Sequence, residues 1–75
     1  MSDAFDLPIR DGMIRLGQLL KLASLVDDGS QARAVIEAGE VTVDGVVETR
    51  RGRQVLPGMT VAYAGQSVRV TSAAG

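Results

Sequence analysis

Val41-Thr42-Val43-Asp44-Gly45-Val46-Val47 is the segment that most restricts how this chain can fold. A two-residue turn between β-branched runs demands positive φ at both turn positions, and Asp and Gly are among the few residues that tolerate it. The segment therefore predicts a type I′ hairpin, with Val41, Val43 and Val46 alternating inward and Val47 facing the other way. What precedes it is equally directive. Residues 28–39 read as a capped helix: Asp28 can accept a hydrogen bond from the N–H of Gln31, and Gln31 can reach back to the N–H of Asp28. Gly39 supplies the left-handed residue that ends it. Ala32, Val35 and Ile36 form the buried face of that helix. Arg33 leaves that face, and Glu37 four residues on offers it only a weak local ion pair.

Upstream, Leu16, Leu19, Leu20 and Ala23 fall at i, i+3, i+4 and i+7, the apolar stripe of a first helix over residues 16–26, widened by Leu22, Leu25 and Val26. Met13-Ile14-Arg15 reads as a short edge strand or the entry to that helix, and Lys21 lies off the stripe. Downstream, Thr49-Arg50-Arg51-Gly52-Arg53-Gln54 is a basic connector. Val55-Leu56 and the Pro57-Gly58 turn lead to a second hairpin, in which Met59, Val61 and Tyr63 alternate, Ala64-Gly65-Gln66-Ser67 turns, and Val68 and Val70 alternate back. The predicted class is α+β, two packed helices followed by a small twisted antiparallel sheet of two hairpins. Residues 1–12, with three Asp, one Pro and no usable periodicity, are expected as a flexible acidic leader, residues 13–71 as the single domain, and residues 72–75 as a frayed tail.

Composition narrows the chemistry. Seventy-five residues make one domain, and a domain this small hides only about 60% of its unfolded surface. With neither Cys nor His, the chain lacks thiolate ligands, disulfides, a cysteine nucleophile and the commonest general base. Asp28 and Asp44 have structural duties as cap and turn, the glycines are spread singly over element boundaries, and no phosphate-loop spacing occurs. The expectation is a non-enzyme without metal or cofactor. The acidic N-terminus and the lack of a long apolar run argue against a signal peptide or membrane span, and the expected location is the cytoplasm.

Net charge is −1, which taken whole argues against a nucleic-acid binder, because phosphate neutralisation supplies most of such affinity. The distribution argues otherwise. Asp3, Asp6 and Asp11 face only Arg10 in residues 1–11, whereas residues 12–75 carry seven Lys and Arg against six Asp and Glu. Between Thr49 and Pro57 stand three Arg and no acid. Charge alone favours reading that run as a solvated loop. The second helix, however, offers the free N–H groups of Gly29, Ser30 and Gln31 at the positive end of its dipole, although Asp28 opposes them. Arg15, Lys21, Arg33, Arg50, Arg51 and Arg53 extend this seat into a basic face if the hairpin folds the connector back over the helices. With only Phe5 and Tyr63 aromatic, and Tyr63 in a core strand, no aromatic platform exists for single-stranded bases. Contact with the phosphates and shape of structured RNA is the expected mode.

The run Arg15-Leu16, then Ala32-Arg33-x-x-Ile36-x-x-Gly39-x-Val41-x-Val43-Asp44-Gly45 and Pro57-Gly58-Met59-x-Val61, resembles the RNA-binding domain named after ribosomal small-subunit protein S-four, over residues 13–70. Within that family it looks most like the stand-alone YbcJ-like proteins, through Gly29 to Arg33, Val43-Asp44-Gly45 and the run Glu48-Thr49-Arg50-Arg51-Gly52-Arg53. The resemblance implies an alpha-L module that binds structured ribosomal or transfer RNA without catalysis. It places Arg33, Arg50, Arg51 and Arg53 against phosphates, with Lys21 and Arg15 as secondary contacts. The chain departs from the family at Asp28-Gly29, where a Ser-Arg pair is common, and at Gly17, where an acid is common. A monomer without DNA or membrane partners is expected. Two other readings compete. One is a ubiquitin-like sulfur carrier, suggested by Val-x-Val-Asp-Gly and Pro-Gly-Met-x-Val but opposed by an Ala73-Ala74-Gly75 ending where Gly-Gly is needed. The other is a ribosome-associated protein-interaction module.

Overall fold

The computed structural model describes residues 4–73, so residues 1–3 and 74–75, the ends of the expected leader and tail, lie outside the described residues. The chain runs through β1 (Ala4–Ile9), β2 (Ile14–Arg15), α1 (Leu16–Leu22), α2 (Gly29–Glu37), β3 (Val41–Val43), β4 (Val46–Val47), β5 (Gln54–Val55), β6 (Thr60–Tyr63) and β7 (Gln66–Ser72). The main sheet has five strands in the order β1-β7-β6-β3-β4, and β2 pairs with β5 in a separate two-stranded ribbon.

The class is α+β as expected, but the sheet is mixed rather than two antiparallel hairpins. The residues expected as a loose leader form β1, which lies parallel to β7 with Phe5 opposite Val68 and Leu7 opposite Val70. Phe5, Leu7 and Ile9 do alternate with Asp6 and Pro8. The pattern spans only five residues and contains a proline, which a sheet tolerates at an edge, and β1 is an edge strand. The expected frayed tail begins too early as well: β7 continues to Ser72, and Ala73 donates its N–H to the carbonyl of Ile9 at 2.8 Å.

The first hairpin forms as predicted, with Asp44 at φ 51° and Gly45 at φ 83°. Asp44 also ties the turn to the next strand: its Oδ1 accepts from the N–H of Thr60 at 2.9 Å, and its own N–H donates to the Thr60 carbonyl. Val41 and Val43 face the core, but Val46 and Val47 are both exposed at the free edge of the sheet. The second hairpin turns on two residues rather than four, Ala64 at φ 53° and Gly65 at φ 81°, so that Gln66 already pairs with Tyr63.

Helix α1 stops at Leu22, four residues short of expectation. Ser24 takes a left-handed φ of 59°, and the Leu25 N–H reaches back to the Leu20 carbonyl at 3.0 Å, a six-to-one helix ending built without glycine. This swings Val26 into the core beside Leu16, Leu19 and Leu20, the last three with no exposed surface. Helix α2 keeps its expected bounds, and Gly39 at φ 77° closes it. Its apolar face, Ala32, Val35 and Ile36, joins α1 and the inward valines of the sheet in one core.

Candidate nucleic-acid interface

The connector between the hairpins is held by helix α1. An α-helix leaves its first N–H groups without intrahelical acceptors, and Arg15 at the N-cap of α1 makes no side-chain cap. Backbone carbonyls of the connector take their place: Leu16 N–H donates to Arg53 at 2.9 Å, and Gly17 N–H donates to Arg51 at 3.1 Å. The β2–β5 ribbon, with Arg15 opposite Gln54, holds the same strand of chain from the next residues on. The arginine run is thus docked against the first helix by main-chain bonds, independently of what its side chains do.

Those side chains divide into two groups. Glu48, buried with its side chain only 9% exposed, gathers four donors. Its Oε1 accepts from Arg53 Nη1 at 2.8 Å. Its Oε2 accepts from the backbone N–H groups of Thr49 and Arg50 and from Arg50 Nε, at 3.1, 3.1 and 3.3 Å. The Arg53 guanidinium and the Arg50 bonds together hold the Glu48 carboxyl at a pKa of about 2 against an ordinary 4.5, with burial opposing the shift. Arg53 is further fixed by Nε, which donates to the Gln54 carbonyl at 3.3 Å.

Arg51 points the other way. Its stem crosses Gly17, and its side chain lines a cavity of about 470 Å³ together with Arg15, Gln18 and Lys21 of the first helical segment and Gly52 of the connector. Gly29 and Ala32, from the first turn of α2, complete the wall. Three cations and no carboxylate line this space, and Arg15, Lys21 and Arg51 enter none of the ion pairs among the described residues. A second, more open cavity of about 610 Å³ adjoins it across Gly52 and is lined by Arg50, Arg53, Gln54 and Leu56.

Of the residues singled out from sequence, Arg15, Lys21, Arg51 and Gly29 share the first cavity, and Arg50 and Arg53 line the second. Arg33, Ser30 and Gln31 line neither. Arg33 Nε is paired with Glu37 Oε2 at 3.0 Å on the open surface. Gln31 serves the helix cap instead: its N–H goes to Asp28 Oδ1 and its Oε1 accepts from the N–H of Asp27, not Asp28 as expected, both at 2.9 Å. Sequence reasoning passed over Gln18 and Glu48. Gln18 was legible, because Arg15, Gln18 and Lys21 recur every three residues opposite the leucine stripe. Glu48 was named only as the first residue of the run that carries the family resemblance, and its role as an acceptor depends on where the connector folds.

Comparison with known proteins places this geometry. The solution structure of YbcJ from Escherichia coli, described as revealing an alfaL motif involved in RNA-binding, superposes with a TM-score of 0.65 at 40% identity over 96% of this chain and 92% of that one. By sequence, YbcJ of E. coli strain K12 is 44% identical over 59 residues, 79% of this chain and 84% of that protein. A Bacillus subtilis (strain 168) protein named "Probable ribosome maturation protein RlbA" is 40% identical over 53 residues, 71% of this chain and 75% of that one. Residues 7–71 match the S4 domain, so that the hairpin, the connector and both helices all fall within the match, and the chain belongs to the S4 domain family.

Proposed function

We propose that this chain is a non-catalytic RNA-binding module that recognises structured RNA by its phosphates and shape, acting as a monomer in the cytoplasm. The observation that carries the reading is the first cavity: Arg15, Lys21 and Arg51 converge on the amino end of the nine-residue helix α2 with no carboxylate in the wall. Unpaired cations gathered beside the start of a helix favour an anion, and a phosphate of a folded RNA backbone fits the open cleft. Arg50 and Arg53 extend the face, and Arg33 lies on its flank. The RNA-binding description of YbcJ supports an RNA partner, and the ribosome-maturation name of RlbA favours ribosomal over transfer RNA. The segments that suggested a sulfur carrier, residues 41–45 and 57–61, lie inside the S4 match, which removes the ground for that reading.

Titration of ribosomal RNA fragments against salt tests this. Each phosphate neutralised contributes about 0.7 to 0.9 to the logarithmic salt slope, so the chain should show a slope of roughly two to three from Arg15, Lys21 and Arg51 alone. Replacing Arg50, Arg51 and Arg53 together with Ala should weaken binding and lower the salt slope by up to about two to three on the same arithmetic. Affinity unchanged by that triple replacement sinks the reading. Association with ribosomal particles that survives nuclease treatment would instead favour a protein partner.

A further inference from the structure

We propose that the second cavity seats an unpaired base of the bound RNA, whose own phosphate occupies the first; this rests on the RNA-binding reading above. Three features distinguish the second cavity from a phosphate seat. The Arg53 guanidinium is paired with Glu48, a carboxylate it shares with Arg50, and its plane is fixed by two bonds, Nη1 to Glu48 Oε1 at 2.8 Å and Nε to the Gln54 carbonyl at 3.3 Å. A paired guanidinium is a poor phosphate clamp. It remains flat and weakly hydrated, which suits it to stack against a base.

Leu56 supplies the second feature, an apolar side chain 43% exposed in the wall of an otherwise polar cleft. Its backbone is pinned: the Met59 N–H donates to its carbonyl at 3.0 Å across the Pro57-Gly58 turn, and Gly58 takes a φ of 97° that favours glycine. A phosphate gains nothing from leucine, whereas the face of a base does. The third feature is Gly52, which lines both cavities. A Cβ there would meet only Arg15 Nη1, at an ordinary 3.7 Å, and its φ lies outside the left-handed region. The missing side chain is therefore required neither by the backbone nor by crowding. It keeps an open saddle between a cavity of unpaired cations and a cavity with an apolar, planar wall, the two halves of a nucleotide. Bases within a duplex are stacked away, so the base that enters must come from a bulge, a loop or a strand end.

The test compares two RNA hairpins of equal length, one fully paired and one carrying a single 2-aminopurine bulge. The full chain should bind the bulged hairpin about ten-fold more tightly, with a change in 2-aminopurine fluorescence on binding. Leu56→Ser, at an exposed position, and Gly52→Val, which fills the saddle, should each reduce that preference to below about two-fold. Leu56→Ser, which lies outside the first cavity, should leave affinity for the paired hairpin and its salt slope as they were. Arg51→Ala should weaken both hairpins alike. Equal affinity of the natural chain for the two RNAs overturns the proposal while leaving RNA binding intact, as does an undiminished preference in both variants. Failure to bind either hairpin at low salt removes the RNA-binding reading and the base seat with it.

Discussion

A Cβ placed on Gly17 would lie 2.7 Å from Cγ of Arg51 and 3.4 Å from its Cδ, while the Gly17 N–H donates to the Arg51 carbonyl at 3.1 Å. The first turn of α1 and the stem of Arg51 are therefore in direct contact, and the contact exists because residue 17 has no side chain. The guanidinium of Arg51 reaches the first cavity over that bare stretch of helix.

Gly17→Ala should accordingly separate two properties. In an unobstructed helix the change would stabilise by about 0.5 to 1 kcal/mol, but here the new methyl displaces the Arg51 stem, and the gain is offset. Urea unfolding should show a midpoint close to that of the natural chain. RNA affinity should fall several-fold, with the salt slope reduced by about 0.7 to 0.9, as expected for one lost phosphate contact. An unchanged slope would mean that Arg51 does not work from this position.

Asp28 holds the cap of α2 and also places a negative charge beside the proposed anion seat. Asn caps as well as Asp does. Asp28→Asn should therefore leave thermal stability nearly unchanged and raise RNA affinity, most visibly at low salt. Asp28→Ala should raise affinity too, but at a cost of about 0.5 to 2 kcal/mol of stability from the lost cap. Parallel melting and binding curves for the two variants check both halves.

Stability should also depend on acid through Glu48. Its folded-state pKa of about 2 lies below the ordinary 4.5, so the folded form holds the charged carboxylate more firmly than the unfolded chain does. That contribution is fully present above pH 4.5, and it is lost as pH falls towards about 2. Glu48→Gln should unfold at a lower urea concentration at pH 7 and should lack this part of the acid dependence. It also frees Arg50 and Arg53 from their counter-charge, and the salt slope for RNA should steepen by about one.

Arg33 and Arg51 make a direct comparison. Arg33 Nε is engaged by Glu37 on an open helix face with both side chains more than half exposed, a pairing worth only a few tenths of a kcal/mol. Arg33→Ala should change stability little and lower RNA affinity less than Arg51→Ala does. Side-by-side salt titrations of the two variants measure the difference.

The helices and hairpins were legible because their signals are local. Asp28, Gly39 and Asp44-Gly45 act on backbone groups within a few residues, and the leucine stripe needs only the period of a helix. Strand β1 was harder, since its alternation is short and its partner, β7, lies at the other end of the chain. The end of α1 was misplaced because Ser24 adopts a conformation that usually announces itself as glycine. In the candidate site, the identity of the basic residues could be read directly, but not their grouping. Arg50, Arg51 and Arg53 look equivalent as a run, yet Glu48 takes two of them and the cavity beside α1 takes the third.

By itself the sequence determined both helices and the two hairpins, the α+β class, the absence of cysteine and histidine chemistry, and a cluster of arginines following a hairpin, but not strand β1. Tertiary structure alone decided which cations act together. The uncapped N–H groups of α1 needed acceptors, and the carbonyls of Arg51 and Arg53 supplied them from more than thirty positions away. Hydrogen bonds between distant backbone groups leave no mark on residue type, so the bond that sets the site in place could be seen only once the chain had folded.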